Sequence, residues 1–166
     1  MTTLFADEFL TPVSNPVDTV EEVATVNDWL FDRGADDELT VALPGSYCEY
    51  QLRCFWREEG RALQIANVFD AKVPPAKRPG VYEAICRINE RLWLGHFEIW
   101  AEEGMIMFRH AAVVDGEISQ THAELLIETA LAECERYYPV FQFVLWSGKS
   151  AVEAIDAALL DVAGEA

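Results

Sequence analysis

Apolar residues recur along this chain with two different periods. After Asn15-Pro16, the residues Val17, Val20, Val23, Ala24 and Val26 fall at helical spacing, as on one face of a 3.6-residue repeat. Asparagine is a favoured N-cap and proline suits the first helical position. Asp18, Glu21 and Glu22 load negative charge into the first turns, where the helix dipole favours it. The spacing predicts a helix to about Trp29, then a connecting segment, Leu30–Arg33, and a turn at Gly34.

The period then falls to two. Leu39, Val41 and Leu43 alternate with polar or small residues up to a Pro44-Gly45 turn. Between Tyr47 and Arg57, the residues Cys48, Tyr50, Leu52, Cys54 and Trp56 share one face. Glu49, Gln51, Arg53 and Arg57 point the other way, with Phe55 among them. A third strand, Leu63–Phe69, follows Glu58-Glu59-Gly60. Such alternation marks an antiparallel sheet with one face buried and one largely open.

Pro74 and Pro75 introduce a second helix, with Pro79 and Gly80 in or just before its first turn, because neither suits a helix interior. Its face is Val81, Tyr82, Ile85, Ile88, Asn89 and Leu92, and Gly95 ends it. A second hairpin reads as His96–Ala101, the turn Glu102-Glu103-Gly104, and Met105–Val113. The echo between WREEG at 56–60 and WAEEG at 100–104 follows from a three-residue loop ending in a left-handed glycine. Thr121 and Glu124 form a capping-box pattern ahead of Ala123, Leu126, Ile127, Ala130, Leu131, Cys134 and Tyr137. Pro139 interrupts or kinks this third helix, and Val140–Trp146 continues the apolar run. A last helix runs from Ser150 to about Val162.

This order predicts an α+β domain, an antiparallel sheet with helices packed on one face. The domain should span residues 15–163 behind a flexible tail, residues 1–14. Composition narrows its partners. Twelve basic residues against 29 acidic ones give a net charge of −17, which repels nucleic-acid phosphates and anionic lipid. No nucleic acid and no membrane are therefore expected as partners. The N-terminal stretch has no basic region before an apolar core, and the four cysteines lack CxxC spacing. The expected compartment is the cytoplasm, with reduced thiols.

Chemistry-bearing motifs are few. FVLWSGKS, at 143–150, ends like a phosphate-binding loop. That motif needs a glycine five positions before the Gly-Lys pair, and Phe143 stands there. Ser150 and Glu153 instead make a capping box, so Gly148-Lys149-Ser150 reads as a break between helices. His96 falls opposite His110 if Ala101 pairs with Met105, and Glu98 shares the face. Three ligands at most are too few for a dependable metal site, so no metal and no cofactor are expected. Cys86 and Cys134 lie on or beside apolar helix faces, and Cys48 and Cys54 on the apolar strand face, where thiols are inert. No catalytic residue is identified, and no enzyme is expected. Five Trp, five Tyr and nine Phe exceed what a bland domain needs. Most should be core, but Arg53, Phe55, Trp100 and Phe108 are candidates for an exposed partner-binding or dimer surface.

Four blocks carry a resemblance: NPVDTVEEVATVNDWLFDR, NERLWLGHFEIW, MFRHAAV and YYPVFQFVLWSGKSAVEAIDAAL. Together they resemble the YbjN-like family of bacterial proteins, labelled sensory transduction regulators. The resemblance implies a fold like that of type III secretion chaperones, commonly dimeric, and supplies no catalytic residues. The combined expectation is a non-enzymatic, chaperone-like regulatory module, a homodimer that binds a protein partner. The alternative is a small-molecule- or metal-responsive sensor centred on His96, His110 and Glu98.

Overall fold

The computed structural model describes residues 14–163. Helix α1 covers Pro16–Val26, and its Asn15 cap accepts a hydrogen bond from the Val17 amide at 3.0 Å. Strands β1 (Phe31–Ala35), β2 (Glu38–Pro44), β3 (Glu49–Arg57) and β4 (Ala62–Lys72) follow. A 3-10 turn, Pro75–Lys77, leads into α2 (Arg78–Asn89). The second hairpin is β5 (His96–Trp100) and β6 (Met105–Val113). Helices α3 (Gln120–Trp146) and α4 (Ala151–Ala163) close the described chain. The six strands form one antiparallel sheet in the order β1-β2-β3-β4-β6-β5. The expected α+β architecture is thus present. The tail expectation concerns residues that, apart from Ser14, lie outside the described ones.

One core holds the two layers together. Leu39, Val41, Tyr50, Leu52, Cys54, Ile65, Phe97, Ile106 and Phe108 face the helices, and Val17, Val20, Ile88, Ile127, Tyr137 and Phe141 meet them. Phe69 sits at its centre, in edge-on contact with Tyr50, Phe97 and Phe141. Edge-to-face pairs add about 0.5–1.5 kcal/mol each beyond their burial.

Several elements differ from the sequence reading. The segment expected to connect α1 to the sheet is strand β1, whose side chains are nearly all exposed. Pairing with β2 makes it a strand, since no apolar alternation marks it. The cap of α3 is Ser119, whose Oγ accepts from the His122 amide at 3.1 Å, two residues ahead of the expected box. Pro139 does not interrupt α3, which runs through it for 27 residues. An internal proline costs about 3 kcal/mol. Tyr137, Tyr138, Val140, Phe141, Val144 and Leu145 are all buried around it, and each large apolar side chain contributes about 1.5–3 kcal/mol on full burial. Packing therefore outweighs the missing amide.

Helix α2 ends at Asn89, not at Gly95, and Cys86 and Tyr82 point to solvent. Gly95 shapes the entry to β5 instead, at φ +67°; a Cβ there would stand 2.4 Å from the Phe108 ring. The FVLWSGKS break is a helix terminus, as expected from Ser150 and Glu153. Gly148 has φ +64°, and the Ser147 and Lys149 amides both donate to the Phe143 carbonyl. The reciprocal Ser150–Glu153 box then opens α4, at 2.9 and 3.3 Å.

Candidate functional site

The helices supply the core on one side of the sheet; the other side carries a separate small cluster. Alternation along β3 sends Gln51, Arg53 and Phe55 to that side. Their partners on β4 are Val68, Ala66 and Gln64, and those on β6 are Met107, Arg109 and Ala111. On β5, Glu98 and His96 lie opposite Met107 and Arg109, and Trp100 opposite Met105. Ala66, Val68 and Met107 keep only 7, 5 and 6 % of their surface exposed, although no residue of the described helices joins their cluster.

Long side chains from the flanking strands provide the cover. The Arg53 guanidinium lies 5.1 Å from the Phe55 ring centroid and 5.4 Å from that of Trp100. Glu38 holds it from the other side at 3.1 Å. Arg109 is paired with Glu98, which also meets His96 Nε2 at 3.2 Å. What remains open is a depression of about 200 Å³, floored by Ala66, Val68 and Met107 and walled by Arg53, Phe55, Trp100 and Arg109. Arginine, tryptophan and methionine are enriched in protein interfaces, and desolvated clusters of this kind dominate binding energy.

Arg53, Phe55 and Trp100, predicted from alternation, are therefore brought together. Phe108 is not. It is fully buried on the helix side, opposite Phe97, in edge-on contact at 5.2 Å. Of the candidate metal ligands, His96 and Glu98 stay together, but His110 is separated from them. The hairpin loop has four residues, Ala101–Gly104, closed by a Gly104 amide bond to the Trp100 carbonyl at 2.6 Å. That one-residue shift puts Arg109 opposite His96 and turns His110 to the helix side, opposite Ile65. A slip of one residue reverses every side chain. Burial lowers the His110 pKa. Among the described residues no group of three His, Cys, Asp or Glu side chains converges as a metal site.

The tryptophans are less buried than expected: Trp56 belongs to the core, whereas Trp93 and Trp146 are 98 and 64 % exposed. The residues that sequence reasoning missed are Ala66, Val68, Met107 and Arg109. A signal was available, because the β4 run Leu63–Phe69 is apolar in both phases except for Gln64 and Asn67. A strand apolar on both faces requires cover on both.

One other polar cluster is internal to the fold. Glu135 of α3 accepts from the Tyr50 hydroxyl at 2.6 Å and from the Ser46 amide at 2.8 Å. Burial pushes the Glu135 carboxyl up, but the hydrogen bonds from Tyr50, Ser46 and Tyr47 more than offset it and hold it below the usual range. Burial, and then the bond to Glu135, push the Tyr50 hydroxyl far up. Neither group titrates near neutrality, as a general acid or base must. The pair is a clasp between α3 and the β2–β3 turn.

Residues 16–143 match the model of the YbjN family, described as "putative bacterial sensory transduction regulator". No curated protein matches the chain. Among solved structures, the chain is similar to the crystal structure of YbjN, "a putative transcription regulator from E. coli", with a TM-score of 0.55. The two are 9 % identical over 75 % of this chain and 90 % of that one, so the likeness is one of fold. No helix among the described residues is long and apolar enough to cross a membrane.

Proposed function

The chain belongs to the YbjN family, and from that premise we propose that it is a non-enzymatic regulatory module that binds a protein segment on the open face of its sheet. The observation that carries this reading is the apolar floor of Ala66, Val68 and Met107, roofed by Arg53 and Trp100 rather than by any of the described helices. Apolar side chains flanked by paired arginines fit a peptide better than a nucleic acid, given a net charge of −17. Regulation would then work through a protein partner, in the cytoplasm, from a homodimer whose contacts leave this face accessible.

The test is site-directed photocrosslinking in the native cell. A photoreactive residue replaces Gln64, beside the floor, or Leu125, which is exposed on α3. A discrete adduct from position 64, absent at position 125 and lost with Arg53→Glu and Phe55→Ala, supports the reading. Equal adducts from both positions, or none from position 64, overturn it. Light scattering of the purified chain reads the dimer separately.

A further inference from the structure

The six-stranded sheet has two edges, β1 and β5. An edge strand offers a row of unpaired N–H and C=O groups to any extended chain. On β5 that row is closed at Phe97. Asn89, the last residue of α2, accepts from the Phe97 amide at 2.8 Å and donates to its carbonyl at 3.0 Å, as a neighbouring strand would. β1 has no such cover among the described residues. We propose that the outer edge of β1 takes up a basic, extended segment of a partner protein as a further strand, at a site separate from the open face of the sheet.

The backbone sets the geometry. The Ala42 amide donates to the Leu30 carbonyl at 2.8 Å, so Leu30, and by alternation Asp32, turn their polar groups toward β2. The intervening residues of an antiparallel strand turn theirs away. Phe31 and Arg33, opposite Val41 and Leu39, therefore point their amides and carbonyls outward, and no described residue bonds to them. Side chains flank this row on both sides. Leu30, 78 % exposed, and Asp32 stand on the open side of the sheet, and Phe31, 39 % exposed, on the helix side.

Charge selects the occupant. Asp28, Asp32, Asp36 and Asp37 are exposed along β1 and at its ends, and none of them joins an ion pair among the described residues. Arg33 is the only Lys or Arg in residues 1–52, and it is already held by Asp18 and Glu21 of α1 at 2.9 and 2.7 Å. A second copy at this edge would set these carboxylates against their own image, and like charges facing across paired strands are destabilising. A segment in which Lys or Arg alternates with aliphatic residues meets both features. Its cations pair with the aspartates, and its aliphatic side chains cover Leu30 and Phe31. In strand addition the main-chain hydrogen bonds supply affinity and the alternate side chains supply specificity.

Amide hydrogen exchange by NMR on the full chain tests this, with the peptide acetyl-Lys-Val-Lys-Val-Lys-Val-amide as probe. Exchange at the Phe31 and Arg33 amides should slow about tenfold when the peptide stands at about ten times its dissociation constant, while Asp32, already in the ladder, changes little. The same peptide N-methylated throughout keeps its charge but cannot pair as a strand, and should protect neither amide. Phe31→Pro removes an outward N–H, which an edge strand tolerates, and should abolish protection at Arg33. Asp32→Lys with Asp36→Lys leaves the backbone free and should shift the preference to the matching Glu-Val peptide. Equal protection by the N-methylated peptide, undiminished protection in Phe31→Pro, or peptide-induced shifts spread over the acidic surface with neither amide slowed would overturn the proposal. Slow exchange at both amides in the free chain would also overturn it. The edge would then be filled already, by a second copy if dilution releases it and by another part of the chain if dilution does not. The photocrosslink from position 64 reads the open face, so either site can fail without the other.

Discussion

Arg53 meets Trp100 across two intervening strands. They belong to β3 and β5, with β4 and β6 between them, yet the guanidinium carbon stands 5.4 Å from the indole centroid. Only side chains arching over the sheet can close that gap, since neighbouring strands are about 4.8 Å apart. The arch keeps Val68 and Met107 dry without a helix, and it leaves a surface that a partner can enter.

The arch should have a measurable coupling. A double-mutant cycle of Arg53→Ala and Trp100→Ala, followed by urea unfolding, should return about 0.5–1 kcal/mol, the range of a partly exposed cation–π contact. Coupling of zero would mean that the two side chains only happen to lie near each other.

Glu135 should make the protein acid-sensitive. Its folded-state pKa is depressed from 4.5, so its stabilisation is fully present above pH 4.5 and is lost as pH falls through the lower, folded-state value. Glu135→Gln should flatten the stability profile in that window. At neutral pH it should cost about 1 kcal/mol, allowing for solvent at this half-buried site. An unchanged acid limb would remove Glu135 from the account.

The thiols should react in a fixed order. Cys86 is exposed, Cys48 half-buried, and Cys54 and Cys134 buried. Desolvation pushes the Cys54 thiol up to about 12 and raises that of Cys134 as well. Iodoacetamide at pH 8, with peptide mapping, should label Cys86 first, Cys48 slowly, and the other two only on unfolding. Early labelling of Cys134 would contradict the packing of α3 on the sheet.

Gly95→Ala should destabilise by more than about 1 kcal/mol, because alanine is strained at positive φ. The new methyl would also press on Phe108 and come within 2.8 Å of the Arg109 carbonyl. Gly148→Ala has the same φ penalty but no neighbour within 4 Å. It should therefore cost less in the same thermal melt, and equal costs would refute the steric part.

Much of this was legible in the chain wherever the cause is local. Asn15 caps α1 and Ser150 pairs with Glu153 because these contacts span two or three residues. Alternation in β3 assigned Arg53 and Phe55 to the open face because a strand has no other way to arrange its side chains. Phe108 and His110 went to the wrong side because of one residue in the Ala101–Gly104 loop. Its length is fixed by Gly104 bonding to both Trp100 and Val73, and Val73 is remote in sequence.

By itself, then, the sequence determined the caps of α1 and α4, the strand phases before the second hairpin, the acidic surface and the two-layer architecture. All of these follow from spacing and composition within a few residues. Tertiary structure decided whether Pro139 would break a helix, whether residues 31–35 would pair, and which side of the sheet each residue of β6 would face. It also decided that Arg53 and Trp100 would meet. Those outcomes depend on contacts between distant segments, where burial and register outweigh local preference.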